Sequence, residues 1–173
     1  MISNEVVLVD PKDRETGRME KLEAHRQGIL HRAFSVFIIN EKGEMLIHQR
    51  ALNKYHGGGL WTNACCSHPY PNERVAQAAH RRLREEMGLE CELWKIFDFV
   101  YRAEVENGLI EHEFDHVFLG FTNKNPFPDA REAQAWKWVE IAALEKDIVK
   151  NPKKYTQWFT MALPRVLQNF RQN

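Results

Sequence analysis

Apolar and β-branched residues gather in short runs that predict a β-sheet. Six runs have the length and composition of strands: residues 5–10, 34–40, 45–49, 94–104, 109–122 and 136–140. The two longest runs are joined at Glu106-Asn107-Gly108, a sequence typical of a β-hairpin turn. Glycine loses the most backbone entropy inside a regular element, so the three successive glycines at 57–59 predict a loop at 55–59.

Helical periodicity is strong in one segment and interrupted in another. Apolar side chains recur at every fourth position over residues 75–87, and Gly88 is a typical helix stop. Asn72 is the predicted N-cap of this helix. Residues 141–170 predict one or two further helices, because a proline interrupts their pattern at 151–152. Strands and helices mix without a regular βαβ rhythm, which predicts an α+β (α/β) fold with a mixed sheet.

Length and charge narrow the class of protein. The 173 residues suit one domain, 1–173, with a sizeable core. The 24 basic and 24 acidic side chains cancel, so nothing predicts binding to nucleic acid or to a membrane surface. The sequence shows no signal-peptide pattern and no apolar run of ~18 residues, so we expect a cytoplasmic protein. The three cysteines, Cys65, Cys66 and Cys91, are an odd count and predict reduced thiols.

One face of the helix at 75–87 carries charges where apolar residues are expected. At about 100° per residue, Glu86 falls within the apolar arc and Arg82 at its edge, whereas Arg81 and Arg84 point outward. An inward carboxylate and guanidinium are unfavourable unless they pair with each other or bind a ligand or metal ion. The pattern is therefore compatible with an internal Arg82–Glu86 ion pair and with a ligand site.

Two smaller motifs each have an ordinary structural explanation. The pattern Cys-x-His at Cys66 and His68 fits half of a zinc site, a reactive thiol or simple packing, and packing is the interpretation we give to Cys65. Glu111 and Glu113 share one face of a predicted strand, because successive side chains of a strand alternate between its faces. Taken alone, such a pair is typical of a solvated surface.

In their order along the chain, these motifs resemble a known family. Residues 67–89 match the Nudix box G-x5-E-x7-R-E-U-x-E-E-x-G-U at most positions, but Ser67 replaces its first glycine and Arg82 its second glutamate. The string W-T-N-x-x-C-[GS]-H-P at 61–69 directly adjoins that box. With further matches along nearly the whole chain, the sequence resembles the type I isopentenyl diphosphate isomerases of the Nudix superfamily. The resemblance implies a Nudix fold, in which helices sandwich a mixed sheet.

The resemblance implies an isomerase that interconverts isopentenyl diphosphate and dimethylallyl diphosphate in isoprenoid biosynthesis. One proton is added to an unactivated alkene and another leaves two carbons away, which requires an acid, a base and exclusion of water. Matched to the family, Cys66 and Glu113 are the catalytic pair, and Tyr101 donates a hydrogen bond to Glu113. We expect Glu113 to donate the proton and Cys66, as a thiolate favoured by nearby cations, to accept one. The sequence leaves that order open.

The resemblance also implies metal sites. Five residues correspond to the family's metal ligands: His25, His31, His68, Glu111 and Glu113. Mixed imidazole and carboxylate ligands suit one Zn²⁺ or Mn²⁺, with Mg²⁺ as a third candidate. Glu86 would hold Mg²⁺ together with the diphosphate. The remaining histidines have no motif support, and we interpret them as surface or packing residues: His48, His56, His80, His112 and His116.

Four cations correspond to the family's diphosphate-binding residues, and we call them the diphosphate clamp: Lys21, Arg50, Lys54 and Arg82. Trp158 corresponds to an aromatic face beside the carbocation. Taken alone, Arg50 and Lys54 are typical of a solvated turn after a strand, and Trp158 of a core position in a helix. The expected partner is a small isoprenoid diphosphate, without nucleic acid or membrane, and we expect a monomer.

Two other functions compete with the isomerase. A Nudix hydrolase would cleave a nucleoside diphosphate or another diphosphate. Arg82 argues against it, because a guanidinium removes one metal-binding carboxylate and adds a phosphate contact. A non-catalytic module would use His25, His31 and His68 to hold a structural metal, but this leaves Cys66 unexplained.

Overall fold

The computed structural model describes residues 4–172, which form a mixed nine-stranded sheet and four α-helices. The strands are β1 Glu5–Val9, β2 Glu15–Glu20, β3 His31–Ile39, β4 Glu44–Arg50, β5 Trp61–Thr62, β6 Cys65–Ser67, β7 Leu93–Glu104, β8 Ile110–Phe121 and β9 Ala133–Glu140. The helices are α1 Lys21–Gln27, α2 Val75–Met87, α3 Ile141–Lys150 and α4 Gln157–Gln172. Short 3₁₀ turns occupy Glu106–Gly108 and Pro152–Lys154.

Strand β3 is the centre of the sheet. It runs parallel to β8 along its whole length, from His31 opposite Glu113 to Ile39 opposite Phe121. It is antiparallel to β1, β4 and β6, and β7 extends the sheet beyond β8 as an antiparallel neighbour. Strand β4 pairs in turn with β5 and β9. Parallel and antiparallel pairs therefore occur in one sheet, and the predicted mixed sheet is confirmed.

Helices cover both faces of this sheet. Because alternate residues of a strand point to opposite faces, Phe34 of β3 packs in one apolar layer with Leu83 of α2. Phe37 packs in the other layer with Phe159 of α4, and the centroids of their rings are 5.9 Å apart. The predicted arrangement of a mixed sheet between helices is confirmed. No helix within residues 4–172 is long and apolar enough to cross a membrane.

The predicted strands agree with the structure to within three residues at each end. The hairpin turn at 106–108 is confirmed. So is the helix stop at Gly88, whose backbone is left-handed with a φ of 62°. A Cβ atom there would also lie 2.9 Å from the carbonyl oxygen of Phe127, so only glycine fits. The interruption at 151–152 separates two helices, α3 and α4.

Four elements gave no recognisable pattern in the sequence. Helix α1 has only seven residues and buries only Ala24 and His25, which is too little for an apolar period to appear. Strand β2 lies at the sheet edge and pairs with β1, so its side chains are mostly polar and exposed. Strands β5 and β6 have two and three residues.

The predicted N-cap of α2 is wrong. The cap residue is Arg74, and Asn72 lies in a preceding turn with a φ of 67°. The carboxylate of Glu73 accepts hydrogen bonds from the Tyr70 amide at 2.8 Å and from Arg81 Nε at 2.7 Å. The expectation that Arg81 points outward is also wrong. Its guanidinium pairs with Glu73 and lies 3.9 Å from the centroid of the Tyr70 ring, so the side chain is partly buried.

Candidate active site

Three neighbouring strands place an acid, a hydroxyl donor and a histidine in one row. Glu113 on β8 lies opposite Tyr101 on β7 and His31 on β3. The Tyr101 hydroxyl donates to Glu113 Oε2 at 2.6 Å and lies 3.0 Å from Glu111 Oε2. His112 takes the other face, where its Nδ1 donates to a backbone carbonyl at 3.0 Å. The structure therefore contains the expected contact between Tyr101 and Glu113, and both carboxylates lie on one buried face.

Buried histidines beside Glu113 have the geometry of metal ligands. One ligand atom from each of His25, His31, His68 and Glu113 lies within 4.8 Å of the others. Nδ1 of His25 donates to the Lys21 carbonyl at 2.7 Å, and Nδ1 of His31 donates to a carbonyl at 2.8 Å, so Nε2 of each ring keeps its lone pair. Among the described residues neither Nε2 has a hydrogen-bond partner. They lie 4.0 and 3.5 Å from Glu113 Oε1.

A lone pair that faces a carboxylate oxygen is unfavourable unless a positive charge lies between the two atoms, and a divalent metal ion bound by this group would supply that charge. Burial lowers the pKa of His25 to about 4 and that of His68 to about 3. Both rings are therefore neutral near pH 7, which is the form that binds metal.

Glu111 lies in a second group that overlaps the first through His25. Its Oε1 lies 2.9 Å from His56 Nε2, and ligand atoms of His25, His56 and Glu111 lie within 4.8 Å of one another. Four of the five expected ligands thus meet in one group, and the fifth contacts His56 instead. The interpretation of His48 and His56 as surface or packing residues is wrong, because each is 4% exposed and lines the candidate site.

Cys66 lines the same cleft as Glu113. It lies opposite Ser35 in the β3–β6 pair, and its Sγ is 3.3 Å from Ser35 Oγ and 3.1 Å from Asn63 Oδ1. Burial, and then the charge of Asp115, raises the pKa of the Cys66 thiol well above its usual value. Because these neighbours are neutral or acidic, we correct the expectation that nearby cations favour a thiolate here.

Cys65 points to the opposite face of the sheet. It is completely buried in the apolar layer of α2, where its Sγ donates to Glu86 Oε2 at 3.5 Å. The interpretation of Cys65 as a packing residue is confirmed, and the alternation along β6 leaves Cys66 as the cysteine of the cleft.

One cleft collects the expected substrate residues. It is lined by the whole diphosphate clamp and by Trp158, which is 4% exposed. The Arg50 guanidinium lies 5.2 Å from the centroid of the Trp158 ring. The free volume of the cleft is about 70 Å³, well below the roughly 300 Å³ of a typical small-molecule site.

Carboxylates already pair with two cations of the diphosphate clamp. Arg82 Nη2 pairs with Glu86, and Lys54 Nζ pairs with Glu132, whose Oε1 also lies 3.7 Å from Arg82 Nη2. The internal Arg82–Glu86 ion pair that the sequence allowed is thus present. Both of its residues also line the cleft. Burial raises the pKa of Glu86, and the charge of Arg82 opposes that rise. A phosphate group entering the cleft would compete with these carboxylates for both cations.

The site also contains residues that the sequence did not predict, among them Ser35, His48, His56, Asp115 and Glu132. Ser35 had a usable signal, because it is a buried polar residue within the apolar run 34–39 of β3. Asp115 had none, because polar and charged residues surround it along β8. His56 and Glu132 lie in loops, where no periodicity indicates the direction of a side chain.

Comparisons with known proteins define the class first. The NUDIX domain model matches residues 29–159. A MutT NUDIX hydrolase from Burkholderia pseudomallei has a similar structure, with a TM-score of 0.64 and 21% identity over 79% of this chain and 98% of that chain. A MutT protein from Methanosarcina mazei has a TM-score of 0.66 and 20% identity over 81% and 94%. The fold is therefore that of a Nudix protein.

Curated relatives then define the family within that class. Isopentenyl-diphosphate Delta-isomerase 1 of Aromatoleum aromaticum is 50% identical over 166 residues, which cover 96% of this chain and 94% of the relative. The isopentenyl-diphosphate Delta-isomerase of Pectobacterium atrosepticum is 48% identical over 162 residues, or 94% and 90% of the two chains. The chain belongs to the isopentenyl-diphosphate Delta-isomerase family, and the resemblance found in the sequence is confirmed.

Proposed function

We propose that this chain interconverts isopentenyl diphosphate and dimethylallyl diphosphate. The observation that carries the proposal is that Cys66 and Glu113 line one narrow cleft together with all four cations of the diphosphate clamp. Relatives that share about half of its residues bear the name of this isomerase. A cleft that brings an acid–base pair next to a diphosphate site fits a proton shift in a diphosphate ester.

In the forward direction, Glu113 donates a proton to the terminal alkene carbon of isopentenyl diphosphate. Cys66 removes a proton from C2, and the double bond moves by one position. The Tyr101 hydroxyl, 2.6 Å from Glu113 Oε2, orients the carboxyl group. Burial raises the pKa of the Cys66 thiol. Burial also acts to raise the pKa of Glu113, but hydrogen bonds and charge from His31 and His68 hold it well below its usual value. A proton therefore has to pass from Cys66 to Glu113 before this direction begins. The reverse direction exchanges the two roles and starts from the thiol.

The group His25, His31, His68 and Glu113, completed by Glu111, would hold one divalent ion. The candidates are Zn²⁺, Mn²⁺ and Mg²⁺. When bound, the ion supplies positive charge beside the Glu113 carboxyl group. At the diphosphate, Glu86 would hold a Mg²⁺ once its ion pair with Arg82 opens.

The surroundings of the reacting carbons protect a carbocation from water. Glu113 and Trp158 are both less than 10% exposed, and the free volume of the cleft leaves little room for solvent. The π face of Trp158 stabilises positive charge near it, as the position of the Arg50 guanidinium over this ring illustrates. Trp158 therefore stabilises the carbocation, and the diphosphate clamp binds the diphosphate group.

Incubation of the protein with isopentenyl diphosphate and Mg²⁺ tests this function. We expect proton NMR to detect dimethylallyl diphosphate, with no release of phosphate. Phosphate release without the isomer would instead identify a Nudix hydrolase. A folded, metal-loaded protein that gives neither product would contradict both activities.

We also propose that residues 1–173 act as one domain and as a monomer in the cytoplasm. The described strands all belong to one sheet, which supports a single domain. Sedimentation equilibrium should give the mass of one chain, and a stable dimer mass would contradict this proposal.

A further inference from the structure

We propose that His56, which lies outside the family motifs, is a positioning residue that holds the metal ligand Glu111 through a hydrogen bond from Nε2. The inference rests on the proposed function, because it concerns the same metal site. Its basis is the 2.9 Å contact between His56 Nε2 and Glu111 Oε1 inside the protein. Both residues are 4% exposed, so water has little access to this contact.

The ring nitrogens distinguish His56 from the histidines that fit a metal ion. In His25 and His31, Nδ1 donates to a backbone carbonyl and Nε2 has no hydrogen-bond partner among the described residues. That is the arrangement of a metal-binding imidazole, whose second nitrogen is held by an acceptor. In His56 the pattern is reversed: Nε2 meets the Glu111 carboxylate, and Nδ1 has no partner within residues 4–172. A carboxylate only accepts, so His56 Nε2 carries the hydrogen.

The alternative that His56 is itself a metal ligand fits this geometry less well. A ligand with Nε2 on the metal would carry its hydrogen on Nδ1, and in the described structure no acceptor meets His56 Nδ1. A buried N–H without an acceptor is unfavourable. As a donor to Glu111, His56 instead fixes one oxygen of that carboxylate, while the other oxygen lies 3.0 Å from the Tyr101 hydroxyl.

The loop around His56 is held in place on both sides of this residue. The Arg50 guanidinium donates to the His56 carbonyl at 3.0 Å, and the Gly57 amide donates to Glu106 Oε2 at 3.0 Å. Asn107 Nδ2 donates to the Tyr55 carbonyl at 2.9 Å. These backbone contacts come from a clamp cation and from the β7–β8 hairpin. They place the His56 imidazole against the Glu111 carboxylate.

Gly57 allows the backbone of this loop to lie close to the Arg50 side chain. Its backbone is left-handed, with a φ of 62°, and a Cβ atom would lie 3.2 Å from Arg50 Nε. A side chain at this position would push away either the loop or the guanidinium. The glycine therefore allows one short segment to contact both the diphosphate clamp and, through His56, the metal ligand Glu111.

Titration with Mn²⁺ tests the role of His56. Residues that orient metal ligands typically contribute a factor of about 10–100 in metal affinity, so we expect a loss of that size in His56→Ala. His56→Gln places an amide N–H near the position of Nε2 and should recover most of the affinity. The exposed helix residue His80 provides the control, because His80→Ala removes an imidazole without touching the site. Wild-type Mn²⁺ affinity in His56→Ala would overturn the proposal.

A second measurement uses the wild-type protein and does not depend on how a variant folds. Long-range ¹H–¹⁵N spectra of the Zn²⁺-loaded protein report which ring nitrogen carries hydrogen. We expect the Nε2–H tautomer for His56 and the Nδ1–H tautomer for His25 and His31. A His56 ring that carries its hydrogen on Nδ1, or that binds Zn²⁺, would overturn the proposal.

The outcomes separate this inference from the proposed function. If the wild-type protein is inactive but His56→Ala still lowers the Mn²⁺ affinity, the proposed isomerase activity is wrong and the role of His56 stands. An active wild type with unchanged Mn²⁺ affinity in His56→Ala would remove only the role of His56.

Discussion

The hydroxyl of Ser35 donates a hydrogen bond to Asp115 Oδ2 at 2.7 Å, deep inside the protein and next to the catalytic thiol we propose. Ser35 and Asp115 are 2% and 1% exposed. The Ser35 oxygen lies 3.3 Å from Cys66 Sγ. The hydroxyl hydrogen is committed to the carboxylate, and the single thiol hydrogen of Cys66 goes to Asn63 Oδ1 at 3.1 Å, so the Ser35 oxygen packs against the sulfur. The pair therefore helps to fix the position of Cys66.

We expect Ser35→Ala to damage both stability and catalysis. Asp115 would lose its hydrogen-bond partner in a buried place, which lowers the free energy of unfolding by about 1–3 kcal/mol. Cys66 would lose one of its two contacts, so kcat should fall more than KM rises. Urea unfolding and steady-state kinetics measure these effects. A variant with unchanged unfolding and kcat would show that the Ser35 hydroxyl has neither role.

The two neighbouring cysteines should respond differently to truncation. We expect Cys66→Ala to abolish turnover while the fold and the metal content survive, because the sulfur lines the cleft. Cys65→Ala removes a buried sulfur from the layer of α2, so it should lose some stability and keep most of its activity. Product formation and metal analysis of both variants check this. Comparable losses of turnover in the two would argue against Cys66 as the reacting group.

The metal site should depend on residues from different elements. His31 begins β3 and Glu111 lies on β8, and both belong to the groups that fit a divalent ion. We expect His31→Ala and Glu111→Gln each to lose bound metal when the purified proteins are analysed for metal content. Full occupancy in both variants would mean that these residues do not share a site.

Arg82 should matter for diphosphate binding more than for stability. In Arg82→Glu, a new carboxylate would stand beside Glu86 and Glu132, and one charge-assisted contact to the diphosphate would be lost. Such a contact contributes roughly 1.5–3 kcal/mol, and about 1.4 kcal/mol corresponds to a factor of ten. We therefore expect a non-reactive diphosphate analogue to bind at least about tenfold more weakly in calorimetric titration.

Arg84 offers a matched control on the same helix. It is exposed and pairs with Glu90 on the surface, so Arg84→Glu makes the same charge change outside the cleft and should bind the analogue as the wild type does. If Arg82 serves only its ion pair with Glu86, Arg82→Glu would instead unfold at lower temperature and retain wild-type affinity.

The sequence predicted the sheet and the main helix because each has a period that burial imposes. Val75, Ala79 and Leu83 repeat along α2, and the long strands are rich in apolar and β-branched residues. Helix α1 was not predicted, because it buries only two residues and therefore shows no apolar period. The N-cap was predicted two residues too early, because Glu73 was assigned to the first turn of α2. In the structure Glu73 precedes the helix, and its carboxylate accepts a hydrogen bond from Arg81 of α2.

Only those residues of the candidate site that belong to a sequence motif or to the alternation of side chains along a strand could be predicted. Glu111 and Glu113 alternate with His112, so their shared face follows from strand geometry. The contact between His56 and Glu111 joins a loop to a strand 55 positions away in the sequence (111 − 56 = 55), and no local pattern encodes it. The same holds for Lys54 and Glu132, which the pairing of β4 with β9 brings together.

Isomerisation in deuterated water tests the central claim most directly. Isopentenyl diphosphate, Mg²⁺ and the wild-type protein would be incubated in this solvent and followed by proton and phosphorus NMR. If Cys66 and Glu113 exchange protons with carbon in an intact diphosphate, dimethylallyl diphosphate should appear with deuterium in its new methyl group, and no phosphate should be released. Unlabelled, unchanged substrate, or phosphate release without deuterium on carbon, would contradict the account.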